Sequence, residues 1–341
     1  MPGLTQTLLH RRLSRFVEWI RTESDREDEI RAQAGEIRGR IKGKAEDDGL
    51  VVRSTPNSGS FAKRTGIRRH LYGTAEVEGQ DVDLPFVVSP KTADGEKLTA
   101  LLDRFDRYAK ASYPDTERHR TKSSVQLSFV GSKLNYDLVP MLATEKEDEQ
   151  ILLRGNGERK RTSVQKHIEF IRGRTERSNR QKGVVKFNDC VRLLKWWKEF
   201  RTSESRLVEA DDVPTFLIEL LAAGAFDELG VRETYAETLL AWFGWLGNAV
   251  GAKRRIAFSD FGRPPTAQSV AWAVLDPVNA LNNVAERLSG PQIDELAEWF
   301  STSHDRLAFA LAADRDGEDG SSLDELIGLF GSPFEHHCSE E

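Results

Sequence analysis

At 341 residues, with 38% hydrophobic and 30% charged side chains, the chain is long enough for one large or two ordinary domains and apolar enough to fold without disulfides, which excludes intrinsic disorder. A net charge of −6 argues against a protein whose main business is coating a nucleic-acid backbone, so no stable DNA binding is expected. The two cysteines, Cys190 and Cys338, form neither a disulfide framework nor a zinc spacing, and no run approaches the roughly 20 apolar residues of a membrane span, so a soluble cytoplasmic protein is expected.

From Leu8 to about Lys44, apolar residues recur at helical spacing (Leu9, Leu13, Phe16, Ile20, then Ile30, Ala34, Ile37, Ile41), which predicts one long helix or two meeting near Ser24 and Asp25, ended by Gly49. β-branched and aromatic runs then predict strands at Leu50–Arg53, Val82–Ser89, Ser124–Val130 and Lys133–Met141, with a helix at Glu96–Ala111 and a hairpin turn at Gly131-Ser132. Three basic clusters punctuate this region: Arg64, Arg68 and Arg69; Arg118, Arg120 and Lys122; Arg154, Arg159, Lys160 and Arg161. They read as mixed-charge surface, with one of them open to a polyanionic substrate.

Beyond Val164 strand signals give way to helical periodicity over Val164–Asn179, Lys186–Arg201, Pro214–Ala225, Val231–Val250, Asn279–Ser289, Gly290–Ala313 and Ser322–Phe330. Connections fall at Ser203–Asp212, Lys253–Ala267 and Asp314–Ser321. The pattern predicts an α+β catalytic lobe with a mixed sheet and an N-terminal spine helix (residues 1–163), a helical lobe (164–330) and a flexible C-terminal tail (331–341), with a cleft between the lobes.

The chemistry concentrates in the strands. Asp81 and Asp83 stand two apart in a strand and so project from one face. Two carboxylates held side by side are costly unless cations neutralise them. Asp137 sits in the second strand, Lys133-Leu134-Asn135-Tyr136-Asp137-Leu138, among apolar neighbours, and strand pairing would bring it beside the first two. Oxygen-only ligands suit Mg²⁺ or Mn²⁺, two of which support in-line phosphoryl transfer. An Asp-x-Asp pair is also an ordinary surface turn or cap. Upstream, however, Asn57-Ser58-Gly59-Ser60-Phe61 is a Gly-Ser turn leading into a short helix, a shape that lets backbone amides and a hydroxyl approach a triphosphate.

Gly59-Ser60, then Asp81-x-Asp83, then Asp137 is an ordered signature that resembles the polymerase β-type nucleotidyltransferase superfold. More narrowly it resembles the bacterial CD-NTases, relatives of cyclic GMP-AMP synthase and oligoadenylate synthase that make cyclic oligonucleotide signals in CBASS anti-phage defence. The resemblance covers most of the chain. Cys190-Val191-Arg192-Leu193-Leu194-Lys195-Trp196-Trp197-Lys198 looks like the family helix whose lysine contacts the donor triphosphate, which implies that role for Lys195; an exposed lysine on an amphipathic helix is the plainer reading. Thr215, opening Thr215-Phe216-Leu217-Ile218, fits a hydroxyl reaching the same phosphates, or a plain helix N-cap. Asp276-Pro277 and Asn282-Asn283 resemble an element shared with oligoadenylate synthases, and a structural role is assigned to them.

The resemblance implies that Asp81, Asp83 and Asp137 hold two Mg²⁺ or Mn²⁺ ions, and that Gly59, Ser60, Lys195 and Thr215 hold ATP, GTP or another nucleoside triphosphate. The product would be a cyclic di- or trinucleotide read by an effector protein. The alternatives are a non-cyclising RNA or tRNA nucleotidyltransferase and a catalytically silent nucleotide-binding module. Pocket lining by Tyr136, Phe187 or Trp196 is left open. The animal sensor's zinc insertion is absent, and His336, His337 and Cys338 read as part of a disordered tail. A regulatory HORMA-type or other operon-encoded partner fits the resemblance, with the acidic tail as its candidate contact.

Overall fold

A computed structural model describes residues 7–72, 75–93, 97–154, 156–181, 184–266 and 270–338. Glu96, Ala267 and the acidic end of the tail, residues 339–341, lie outside the described residues. Contacts divide the chain into two units: residues 22–68 and 78–170, and residues 1–21, 69–77 and 171–341. This departs from the expected boundary at 163/164. The N-terminal helical stretch is broken into α1 (Leu8–Ile20), counted with the helices, and α2 (Ser24–Asp47), counted with the sheet.

The sheet unit is built on β1 (Val52–Ser54), β4 (Gln80–Val88), β7 (Leu134–Ala143), β6 (Val125–Phe129) and β5 (Glu117–Arg120), in that spatial order, with β8 (Gln150–Leu153) and β9 (Arg159–Thr162) extending from β7. β4 and β7 run parallel while the other pairs are antiparallel, so the sheet is mixed, as expected. Alternation along the strands sorts the two faces. Val82, Leu84, Phe86 and Val88 of β4 and Leu134, Tyr136, Leu138 and Leu142 of β7 enter one core. Ile30, Ala34, Ile37 and Ile41 of α2 close over it, together with Leu98, Leu101, Leu102 and Phe105 of α4 (Leu98–Ser112). The opposite face carries a smaller cluster of Val87, Met141 and Val164 with Val139, Ala143 and Ile168, covered by the start of α5 (Val164–Asn179). The turn between β6 and β7 falls where Gly131-Ser132 places it, but its left-handed residue is Lys133 (φ 53°).

The helical unit contains α6 (Phe187–Glu204), α7 (Thr215–Leu229), α8 (Tyr235–Gly251), α9 (Gly290–Asp316), α10 (Asp319–Phe330) and α11 (Ser332–Cys338). The hairpin of β2 (Arg69–Tyr72) and β3 (Ala75–Glu78) is held to α6 where Glu199 meets His70 Nδ1 at 2.9 Å and accepts from Leu71 N at 3.0 Å. Phe16 of α1 is fully buried among Trp196, Phe330 and Phe334, with ring centroids 5.3, 5.4 and 4.9 Å away. Trp196 donates to Phe330 O at 2.8 Å, so its indole N–H is satisfied inside that core.

Two expectations are corrected here. Residues 332–338 are helical instead of a flexible tail, because Phe334 is an apolar anchor fully buried against Phe16 and Phe330, and His337 stacks on Trp19 at 4.2 Å. The helix expected over Asn279–Ser289 is a chain of turns. Its polar residues capture the backbone: Asp276 Oδ1 accepts from Val278 N and Asn279 N, and Asn283 Oδ1 accepts from Val274 N and Ala285 N. Asp276 and Asn283 thus have the structural role assigned to them. Among the described residues, no helix is long and apolar enough to cross a membrane.

Phe16→Ala is expected to lower stability by about 3–5 kcal/mol, the range for deleting a buried ring. Denaturant unfolding monitored by tryptophan fluorescence checks it; a loss under about 1 kcal/mol would mean that this aromatic core is not a main support.

Candidate active site: a row of aspartates beside a Gly-Ser turn

The parallel register sets Asp83 directly opposite Asp137, and Asp81 opposite Asn135. All four residues lie on the face away from the main core, where they continue the row of Pro85, Val87, Val139 and Met141. The three aspartates are therefore brought together by backbone pairing, as strand pairing implied. Asn135 Nδ2 donates to Asp81 Oδ1 at 3.1 Å. Asp137 Oδ1 accepts from Ser124 Oγ at 2.6 Å, and its Oδ2 meets Gln126 Nε2 at 3.4 Å.

Electrostatics set Asp137 apart. Burial pushes its carboxyl above the usual aspartate range, and the charge of Asp81 pushes the same way; the hydrogen bonds from Ser124 and Gln126 oppose both. Among the described residues no three His, Cys, Asp or Glu side chains converge tightly enough to enclose one cation. The aspartates stand as an open row on one face of the sheet. That chemistry suits a hard divalent cation: oxygen donors only, on one face, with mutual repulsion that positive charge relieves.

The Gly-Ser turn is packed onto this row. Gly59 opens α3 (Gly59–Lys63) with φ +71°, and a Cβ there would lie 1.8 Å from Asp83 Oδ2. Glycine is thus required twice, by the backbone angle and by the approach of the carboxylate. Ser60 holds the turn through its carbonyl, which accepts from Thr65 N at 2.9 Å and Gly66 N at 3.1 Å.

The other expected residues are in the helical unit. Lys195 is only 2% exposed, and its Nζ donates to Glu219 Oε1 of α7 at 2.8 Å, so the exposed-lysine alternative does not hold. Thr215 is the first residue of α7, with Pro214 at the cap position and no side-chain cap bond, which leaves its exposed hydroxyl unused as an N-cap. Tyr136, Phe187 and Trp196 are fully buried in cores. In the basic clusters, Arg68 pairs with Glu23, Arg69 with Glu76, Arg118 with Asp106 and Arg161 with Glu149, the mixed-charge surface that was expected.

Ser124, Gln126 and Asn135 are the site residues that sequence reasoning missed. Spacing offered a signal for Asn135, which is two residues before Asp137 on one strand and so shares its face. Ser124 and Gln126 needed the β6–β7 register, which pairs Gln126 with Asp137.

Gly59→Ala is expected to displace Asp83 and abolish catalysis while leaving a folded protein, to be checked by turnover and thermal unfolding together. Asp137→Asn is expected to stabilise the protein measured in EDTA. A carboxyl with a raised folded pKa costs stability as pH rises through the window between its unfolded and folded values, and the cost is fully present above that window. The Tm gain of Asp137→Asn should therefore be largest at neutral pH and shrink as pH falls toward the ordinary aspartate value. A gain independent of pH, or a loss at neutral pH, would contradict the electrostatic account.

Residues 8–174 match the family described as the Second Messenger Oligonucleotide or Dinucleotide Synthetase domain, SMODS. The chain is 27% identical over 321 residues to the cyclic AMP-AMP-AMP synthase of Escherichia coli (strain MS 115-1), an alignment covering 91% of this chain and 93% of that one. The structure of E. coli MS115-1 CdnC with ATP superimposes with a TM-score of 0.77 at 26% identity, covering 95% of this chain and 98% of that one. The CdnC:HORMA-deltaN complex gives 0.75 at 27% identity, covering 95% and 97%. The Bradyrhizobium diazoefficiens CD-NTase CdnG with GTP gives 0.71 at 16% identity, covering 97% and 98%, a likeness of fold. With the mixed sheet and the aspartate row already in place, residues 8–174 match the SMODS domain, and the chain as a whole is similar in sequence and fold to CD-NTase nucleotidyltransferases.

Proposed function

We propose that this enzyme joins ribonucleoside triphosphates into a cyclic di- or trinucleotide second messenger, with ATP as a substrate and GTP or another triphosphate as a further candidate. The observation that carries the reading is the in-register pairing of Asp83 with Asp137 beneath a glycine that only an unsubstituted Cα can occupy. The relative that makes cyclic AMP-AMP-AMP, and the ATP in the CdnC structure, support ATP here. Signalling in anti-phage defence goes with that activity.

In each transfer, a 2′- or 3′-hydroxyl oxygen of the acceptor bonds to the α-phosphorus of the donor, the bond to the pyrophosphate oxygen breaks, and the hydroxyl proton leaves. Asp81, Asp83 and Asp137 would hold two Mg²⁺ or Mn²⁺ ions, which when bound offset the charge on the transferring phosphoryl group and the departing pyrophosphate. Asp137, made more basic than an ordinary aspartate by its burial, is placed to favour loss of the acceptor proton. Gly59 and Ser60 let the donor phosphates approach the Asp83 carboxylate closely.

Lys195 and Thr215 are assigned to the donor triphosphate by the family resemblance. Lys195 is already ion-paired with Glu219, so a phosphate would have to compete with that carboxylate or share the lysine with it. Regulation by a HORMA-type protein is proposed on the strength of the CdnC complex. Cytoplasmic localisation remains part of the proposal.

The test is incubation with all four labelled triphosphates and Mg²⁺ or Mn²⁺, with and without a HORMA-domain partner, followed by phosphatase. Phosphatase-resistant product that disappears in Asp81→Ala/Asp83→Ala protein is expected. Labelled tRNA or open chains would instead establish a non-cyclising transferase, and no turnover under any condition a silent nucleotide-binding module.

A further inference from the structure

The turn between β5 and β6 contributes two hydroxyls to the third aspartate. Thr121 N donates to Ser124 O at 3.0 Å, closing the turn, and Thr121 Oγ1 accepts from Ser123 N at 3.2 Å and Ser124 N at 2.9 Å. Ser124 is buried, with its Oγ 2.6 Å from Asp137 Oδ1 and 2.7 Å from Thr121 Oγ1.

Each hydroxyl has one proton to give. An ionised carboxylate accepts only, so the Ser124 proton is committed to Asp137. The Thr121 proton must then make the contact between the two hydroxyls. Two backbone amides already point at the lone pairs of Thr121 Oγ1, and the alternative acceptor of its proton, Ser124 O, stands 3.4 Å away against 2.7 Å to Ser124 Oγ, so the proton goes to the nearer hydroxyl. The chain of donation therefore has one direction, from Thr121 to Ser124 to Asp137, and each link polarises the next.

The two oxygens of Asp137 are thereby made unequal. Oδ1 takes a short bond from a buried, oriented donor, whereas Oδ2 takes only a long one, 3.4 Å from Gln126 Nε2. We infer that Thr121 and Ser124 are positioning residues for nucleotidyl transfer: a one-way hydroxyl chain that fixes Asp137 Oδ1 and presents Oδ2 as the oxygen that faces the reaction. This rests on the assignment of Asp137 to the catalytic row, and it adds to that assignment which carboxylate oxygen works and what holds it there.

The experiment compares Ser124→Ala, Ser124→Thr, Thr121→Val and Asp137→Ala. Two readouts are taken: Mn²⁺ binding followed by electron paramagnetic resonance in the presence of a nonhydrolysable ATP analogue, and kcat and KM for ATP. Loss of a residue that orients a metal-site ligand typically costs about 10–100-fold in metal affinity or activity. Ser124→Ala is expected to lose about that much in Mn²⁺ affinity or kcat while KM for ATP stays within roughly threefold. Thr121→Val should lose less, and Ser124→Thr, which keeps the hydroxyl, should recover most of the loss. Ser124→Ala matching wild type in both readouts, with Asp137→Ala inactive, would overturn the inference and leave the catalytic assignment standing. Ser124→Thr behaving as badly as Ser124→Ala would also overturn it, since the residue would then matter for packing alone. Asp137→Ala retaining Mn²⁺ binding and turnover would remove the assignment of Asp137 and the inference with it.

Discussion

The site depends on one structural constraint, the register of β4 against β7. Pairing Asp83 with Asp137 also pairs Val82 with Tyr136 and Leu84 with Leu138, so one alignment places the carboxylates on one face and the core residues on the other. A slip of one residue in either strand would turn its aspartates into the core and its aliphatic side chains out of it. The main core beneath the sheet, closed by α2 and α4, thus fixes the geometry of the aspartate row: burying Leu84, Tyr136 and Leu138 is what keeps the aspartates in place.

The same face shows how the fold accommodates the cost of assembling negative charge. At one end it is apolar and covered by the start of α5, and at the other it bears the aspartates. Asp137, whose carboxyl burial pushes up, receives a short hydrogen bond from a buried serine, and Asp81 receives one from an asparagine on the next strand. The raised proton affinity of Asp137 shows that this support is incomplete. A site built this way is unfavourable for folding by itself and favourable for binding positive charge together with a phosphate-bearing substrate.

Much of this was legible in the sequence because it rests on periodicity and order along the chain. The helical N-terminal stretch, with two helices meeting near Ser24 as one of its two readings, the bounds of α5 and the strands that carry the aspartates follow from apolar spacing, and the Gly59-Ser60, Asp81, Asp83, Asp137 order pointed to the row that β4 and β7 bring together. The missed strands are short, and most are charged: β2 reads Arg-His-Leu-Tyr, β3 Ala-Glu-Val-Glu, β5 Glu-Arg-His-Arg and β9 Arg-Lys-Arg-Thr, with β8, Gln-Ile-Leu-Leu, the uncharged one among them. They exist through backbone pairing with neighbours, which leaves no alternation to read. The turns at 279–289 imitate helical spacing, yet Asp276 and Asn283 take the backbone N–H groups a helix would use. Phe334 stands among polar neighbours in the sequence, and the exposed-lysine alternative for Lys195 fails because its partner Glu219 is 24 residues away. The burial of Phe334 and of Lys195 is set by contacts between segments distant in sequence, which a local pattern does not encode.

The central claim is that Asp81, Asp83 and Asp137 form one metal-dependent nucleotidyl-transfer site. The most direct measurement is a crystal structure with Mn²⁺ and a nonhydrolysable ATP analogue, with the ions located by anomalous scattering. The expected result is two Mn²⁺ peaks bridging the analogue's phosphates to the three aspartates, with Asp137 coordinating through Oδ2. Phosphates bound away from the Gly59-Ser60 turn, or Mn²⁺ held without Asp81, Asp83 and Asp137, would contradict it.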